Sequence, residues 1–373
     1  MDFSKAFDSV DRSLMLEILA LYGIPEQIIK AIQVLYTNTT ATIYTPDGET
    51  QPIDIKTGIL QGDTLVPFLF ILVVDYILRV SVDQITDKGL EIQPRRSSRH
   101  PARHLTDTDF ADDLALISGT LANAQSLLTS LEKAANCVGL YLNESKTEYL
   151  NFCQVNDPDF SMNTLNGRKL KCVQDYKYLG SFISDSVKDF KTRKGMAWTA
   201  CNNLHNAWAF GLDDKIRINT FKTMTEPILL YCSETWTLNA RQQKRFDGTY
   251  TRLLMRVKNL SWRRHPTLQT IYGDLPRVSQ VVRSRRVQFA GHCFRATNEI
   301  VSPLILWKPQ SIGHKSRKLT YPDVIARDSG IRFEDLCDNA GQEHLAGYCA
   351  FDIDCGRKMM MMIEGLRNYS QLF

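Results

Sequence analysis

Phe110-Ala111-Asp112-Asp113 stands between apolar flanks, with Leu114-Ala115-Leu116-Ile117 directly behind it. The pattern reads as two strands joined by a tight turn whose tip carries two adjacent carboxylates. Neighbouring negative charges repel. Such a tip is therefore either a solvated hairpin end or a place where cations offset the charge. Carboxylates are hard oxygen ligands that suit Mg²⁺, and other acidic motifs in the chain decide between the two readings.

Such a motif opens the chain: Asp2-Phe3-Ser4-Lys5-Ala6-Phe7-Asp8-Ser9-Val10. Between the two acidic sites lies Gly58-Ile59-Leu60-Gln61-Gly62-Asp63-Thr64-Leu65-Val66-Pro67. Beyond the hairpin come Gly139-Leu140-Tyr141-Leu142-Asn143-Glu144-Ser145-Lys146-Thr147-Glu148 and then Tyr178-Leu179-Gly180. In this order and at these spacings the segments resemble the palm motifs of reverse transcriptases of non-LTR (LINE-like) retrotransposons. The resemblance covers residues 1–260. Farther on, Arg285-Arg286-Val287-Gln288-Phe289-Ala290-Gly291-His292 and Trp307-Lys308-Pro309 resemble the basic C-terminal stretch of the same elements.

The resemblance implies an RNA-directed DNA polymerase that uses an RNA template, a DNA primer, deoxynucleoside triphosphates and two Mg²⁺ ions, inside the cell and in the nucleus. Asp2, Asp112 and Asp113 then become the metal-binding carboxylates. Nucleotidyl transfer loads charge onto the attacking and leaving oxygens, which two metals about 3.5–4 Å apart stabilise together. Phe7 occupies the place of the steric gate that excludes a ribose 2′-hydroxyl. Gln61 and Gly62 flank the nascent base pair, where glycine lets the backbone come close. Lys146 matches the lysine that protonates the leaving pyrophosphate. Tyr178, Leu179 and Gly180 match the primer grip. The family's serine before the proline is replaced by Val66, which removes a helix cap of about 1 kcal/mol unless Thr64 supplies it.

No fingers or endonuclease motif is recognisable before Asp2, so the resemblance is to an N-terminally truncated member. On that view Asp2 frays, a sheet edge lies open, and the chain as written polymerises poorly. A rival reading is a catalytically inactive remnant, or a domesticated nucleic-acid-binding protein. An intron maturase fits less well, given the Phe-Ala-Asp-Asp form and the Trp307-Lys308-Pro309 context.

Composition agrees with a globular protein: 43% of the 373 residues are hydrophobic. No apolar run is long enough to span a membrane. Nine cysteines without a CxxC pair indicate reduced thiols rather than a disulfide framework. Cys337, His344, Cys349 and Cys355 lack the close pairing of a convincing zinc site. Charge is segregated. Between Lys188 and Lys318 there are 24 Lys and Arg against 8 Asp and Glu, leaving 21 against 33 elsewhere. The basic segment suits a polyanion, and Arg263, Arg264, Arg285 and Arg286 are its candidate nucleic-acid contacts.

The expected fold is α+β: a partial polymerase palm, with an antiparallel sheet and helices on one face, over residues 1–184. A helical thumb follows over 185–260, then a basic, irregular region over 261–320 and a tail of no assigned role over 321–373. Helices are expected over 11–36 with a break at Gly23-Ile24-Pro25, from about Pro67, and from Leu121 to Val138, with a hairpin around Pro46-Asp47-Gly48. Trp198, Trp208 and Trp236 read as core residues of the helical part rather than stacking residues.

Overall fold

The computed structural model describes residues 1–152, 161–183, 185–209, 212–296, 301–308 and 319–337. They fall into two compact units, one within Met1–Gln174 and one within Asp175–Met361. The architecture mixes helices with small sheets, an α+β arrangement. No helix among the described residues is long and apolar enough to cross a membrane.

The first unit begins with one turn of helix, α1 (Ala6–Ser9), followed by α2 (Arg12–Leu21) and α3 (Glu26–Tyr36). Asp11 starts α2 by accepting hydrogen bonds from the Ser13 and Leu14 amides. Gly23, at φ +75°, makes the turn between α2 and α3 that the Gly-Ile-Pro break predicts. Four two-residue strands come next: β1 (Thr40–Ala41), β2 (Tyr44–Thr45), β3 (Gly48–Glu49) and β4 (Ile53–Asp54). β2 and β3 form the expected hairpin, and β1 pairs with β4 outside it.

Helix α4 (Val66–Val80) buries Leu69, Phe70, Val73, Val74, Ile77 and Leu78 in the centre of this unit's core. Its N-cap is Leu65, without a side-chain bond; Asp63 rather than Thr64 accepts the Leu65 amide. Strands β5 (Leu90–Gln93), β6 (Arg103–Leu105), β7 (Asp107–Phe110) and β8 (Asp113–Leu116) precede α5 (Leu121–Cys137). Thr120 caps α5, and Gly139 at φ +83° lies just beyond its end. β9 (Glu148–Leu150) and β10 (Lys171–Val173) pair in parallel. Among the described residues the strands join two by two rather than as one broad sheet.

The second unit opens with a hairpin of β11 (Lys177–Tyr178) and β12 (Ser181–Phe182) and is otherwise helical. Its helices are α6 (Ser186–Asn203), α7 (His205–Ala209), α8 (Asp214–Met224), α9 (Glu226–Leu229), α10 (Ala240–Val257), α11 (Leu268–Tyr272), α12 (Val278–Arg295), α13 (Val301–Ile305), α14 (Tyr321–Ser329) and α15 (Phe333–Leu336). Trp208 and Trp236 are buried in the core and Trp198 packs against it, as read from sequence.

The irregular reading of residues 261–320 is overturned by α12, which runs for 18 residues. Its buried positions include Val278, Val282, Arg286, Ala290 and Cys293. An arginine inside that stripe breaks the apolar period from which a helix is recognised.

Candidate active site

β7 and β8 pair from Asp107↔Leu116 to Phe110↔Asp113, so Ala111 and Asp112 alone form the turn. Ala111 takes φ +55°, a left-handed conformation that costs a non-glycine residue about 1 kcal/mol or more. The turn thus holds Asp112 and Asp113 at the tip of a two-stranded ribbon. Burial raises the Asp113 carboxyl above the usual carboxylate range, and the charges of Asp112 and Asp2 push it the same way. Asp2 and Asp113, remote in sequence, therefore lie within electrostatic reach of each other.

The expectation that Asp2 frays is corrected by the structure. The Asn143 amide donates to the Asp2 carbonyl (2.8 Å), the Ser4 amide to the Tyr141 carbonyl (2.8 Å), and Phe3 bridges Leu142. The Asp2 amide donates to Thr147 Oγ1 (3.3 Å), and the Met1 nitrogen to the Leu114 carbonyl on β8 (2.6 Å). Phe3 is itself buried. The Gly139–Glu148 motif is thus the partner that holds the first aspartate, and it brings Lys146 Nζ to 3.4 Å from Asp2 Oδ2.

Asp2 Oδ2 is shut off from solvent and makes no aligned hydrogen bond, so Lys146 serves it as an ion-pair partner only. Among the described residues no three His, Cys, Asp or Glu side chains are gathered tightly enough to hold an ion as they stand. The donor chemistry still fits a divalent cation. The Asp113 carboxyl feels the charges of Asp112 and Asp2, and Asp2 Oδ2, ion-paired to Lys146, accepts no hydrogen bond within the fold.

Phe7 is half-buried, with its ring 4.3 Å from that of Phe70. Two glycines hold the α1 backbone from either side. A Cβ on Gly58 would meet Asp8 backbone at 2.5 Å, and one on Gly139 would meet the Ser9 carbonyl at 2.6 Å. Gln61 Nε2 donates to Asp8 Oδ1 (3.1 Å), which links its loop to α1. Gly62 has φ +102° with open space around it, so its backbone conformation rather than crowding requires glycine.

Three residues of this unit escape the sequence reading. Arg12 donates to the carbonyls of Gly58 (2.8 Å), Tyr36 (3.0 Å) and Ile55 (2.8 Å), tying α2 to the segment that leads into Gln61. Asp107 and Asp109 alternate along β7 and so share a face. Burial pushes the Asp109 carboxyl up to about 7, with the charges of Asp107 and Asp75 adding to it. Burial also raises Asp107, although Thr106 donates a hydrogen bond to it. The alternation Thr106-Asp107-Thr108-Asp109 was the available signal.

In the second unit, Leu179 (φ +45°) and Gly180 (φ +85°) form the two-residue turn between β11 and β12. Tyr231 Oη donates to the Leu179 carbonyl (2.7 Å) and Arg193 donates to the Gly180 carbonyl. Of the three residues expected to form the primer grip, Tyr178 is buried, whereas the Leu179-Gly180 turn is partly open to solvent.

The four candidate arginines separate. Arg263 and Arg264 are exposed. Arg285 is half-buried in a cavity of about 300 Å³ lined also by Lys222, Glu226 and Tyr250. Arg286 is buried at 1% exposure, ion-paired to Asp328, and donates to the Glu234 (3.1 Å) and Trp236 (2.8 Å) carbonyls. It is corrected from a phosphate contact to an internal tie, because its guanidinium is already engaged. Pro309 and the zinc candidates His344, Cys349 and Cys355 lie outside the described residues.

Residues 1–183 match the family model described as reverse transcriptase (RNA-dependent DNA polymerase). The chain is 30% identical over 219 residues to an uncharacterized transposon-derived protein of Caenorhabditis elegans, covering 56% of this chain and 78% of that one. It is 28% identical over 188 residues to the retrovirus-related Pol polyprotein of the type-2 retrotransposable element R2DM from Drosophila melanogaster, covering 48% and 17%. Against the Pol polyprotein of a type-1 retrotransposable element R2 from Popillia japonica it is 28% identical over 196 residues, covering 50% and 30%. The chain therefore spans less than a third of either polyprotein.

Proposed function

The chain belongs to the reverse transcriptase family, of the non-LTR retrotransposon kind, and from that premise we propose that it extends a DNA primer on an RNA template. The observation that supports the proposal is the hydrogen bond from the Met1 nitrogen to the Leu114 carbonyl (2.6 Å), which sets Asp2 beside the strand that follows Asp112-Asp113, with its charge within reach of Asp113. Asp2, Asp112 and Asp113 would hold divalent cations, which in such enzymes offset charge on the entering and leaving oxygens. The primer 3′-hydroxyl attacks the α-phosphorus of a deoxynucleoside triphosphate, and the bond to pyrophosphate breaks. Lys146, within ion-pair distance of Asp2, gives the leaving pyrophosphate its proton. Phe7, backed by Phe70, limits the space under the sugar. Gln61 and Gly62 line the nascent pair, and the Leu179-Gly180 turn meets the primer backbone.

In this reading residues 1–184 are the palm, 185–260 the thumb and 261–320 a nucleic-acid-binding extension, with Arg263 and Arg264 on its open surface. The rival, a binding protein without polymerase chemistry, is favoured by the acidic side chains not being gathered for an ion. Primer extension with Mg²⁺, poly(rA) and oligo(dT) separates the two. The proposal expects extension by the parent chain and a loss of 100-fold or more in Asp112→Asn, about 3 kcal/mol of transition-state stabilisation. Binding of primer–template without extension would establish the rival.

A further inference from the structure

The loop between α10 and α11 presents one side chain that the polymerase reading leaves unused, Trp262, beside the arginines already assigned to nucleic acid. Ser261 caps a single 3₁₀ turn, Trp262–Arg264, by accepting the Arg263 amide. Trp262 stands 69% exposed, whereas Trp208 and Trp236 of the same unit are at 2% and 1%. The Arg263 guanidinium carbon lies 5.7 Å from the Trp262 ring centroid, which orients the arginine along the indole. Asn259 (φ 53°) and His265 (φ 45°) bracket the turn in the left-handed region.

The flanking sequence is basic. Between Asp247 and Asp274 the chain has no acidic residue and five Lys and Arg: Arg252, Arg256, Lys258, Arg263 and Arg264. Arg252 and Arg256 are exposed and one helical turn apart on α10, the helix that leads into the loop. Neither Arg263 nor Arg264 is ion-paired to a described residue. An exposed aromatic face among cations free to meet phosphates has the two parts of a single-strand site. The ring stacks on an unpaired base, and the arginines follow the backbone. A duplex hides its base faces within the stack and offers this ring nothing comparable.

We propose that the Trp262–Arg264 turn is a binding site for single-stranded nucleic acid, with Trp262 as the base-stacking residue. The inference concerns binding alone, and its test needs neither Mg²⁺ nor nucleotide, so it stands or falls separately from the polymerase reading. Fluorescence anisotropy of labelled 15-nucleotide oligo(dA) and of a blunt 15-base-pair duplex would be measured on the full chain and on Trp262→Ala, Trp262→Phe and Arg263→Ala/Arg264→Ala. Trp262→Ala should weaken single-strand binding about tenfold or more while leaving the slope of affinity against salt unchanged. Trp262→Phe should keep most of the affinity, the double arginine variant should flatten the salt slope by about two phosphate contacts, and duplex affinity should hardly respond to Trp262→Ala. Unchanged single-strand affinity in Trp262→Ala, or an equal loss for duplex, would overturn the proposal. So would a change in oligomeric state in place of any binding change, which would mark the ring as a contact between copies. Circular dichroism of each variant, matched to the parent, separates lost binding from lost folding.

Discussion

Charge is handled in opposite ways in the two units. In the first, Asp2, Asp112 and Asp113 carry like charges within reach of one another, and Asp113 is raised by burial and by its neighbours. In the second, the buried Arg286 meets Asp328 and two main-chain carbonyls. Arg283 and Arg327 also approach Asp328, at 3.7 and 2.9 Å. Arg286 is thus spent on internal partners and has nothing to offer a ligand. The first unit sets three carboxylates against Lys146 and the N-terminal amine, an acidic excess that the fold keeps only against repulsion. What differs is how fully the fold supplies the countercharge.

The largest effect should come from removing one side of the satisfied network. Arg286→Ala would leave Asp328, whose side chain is 3% exposed, without its closest buried partner, and would open two carbonyl bonds to α12. Breaking such a buried pair costs about 3–5 kcal/mol, a large part of a domain's stability. Urea unfolding should show the second unit melting far earlier. If Arg286→Ala instead keeps parental stability and loses only affinity for nucleic acid, the contrast between spent and spare charge fails.

The second test lies in the first unit, at Asp109. Its folded carboxyl is raised to about 7 from 3.8, chiefly by burial. The folded state therefore holds the proton more tightly than the unfolded chain. Above pH 4 the unfolded state ionises while the folded state does not, so stability falls between about pH 4 and 7 and then levels off. Asp109→Asn removes that loss. Its melting temperature should exceed the parent's by about 3 °C or more at pH 8 and match it at pH 4. An equal gain at both pH values would mean that packing, not charge, is what Asp109 disturbs.

Much of the first unit was legible in sequence because its signals are local. Gly23 and Gly139 end helices, the Pro46-Asp47-Gly48 turn makes a hairpin, and the apolar run from Val66 makes the central helix. The acidic turn was legible because two apolar strands frame it. What remained hidden depends on long-range partners. Asp2 looked loose until Leu142, Asn143 and Thr147 were seen to bind its segment. Arg286 looked like a phosphate contact because its neighbour Asp328 is 42 positions away. Tyr178 was grouped with the turn that follows it, because a two-residue turn says nothing of what packs against the strand before it. Arg12 gave no sign at all, since its partners are main-chain carbonyls that carry no sequence identity.

The smallest expected effect concerns the backbone that carries the spare charge. Ala111 at φ +55° occupies a conformation that glycine adopts freely. Relief of that strain in Ala111→Gly should return about 1 kcal/mol. The greater freedom of glycine in the unfolded chain takes back about 0.4–1 kcal/mol. The two nearly cancel, so the variant should lie within about 0.5 kcal/mol of the parent in chemical denaturation. Ala111→Val cannot use that compensation, because a β-branched residue is a poor occupant of positive φ. It should be destabilised by about 1–3 kcal/mol, the range for a strained backbone position. The pair of variants therefore measures strain at the turn without touching a carboxylate. If the valine variant proves as stable as the glycine one, the turn is not under strain, and the placement of Asp112 must come from the β7–β8 ladder alone.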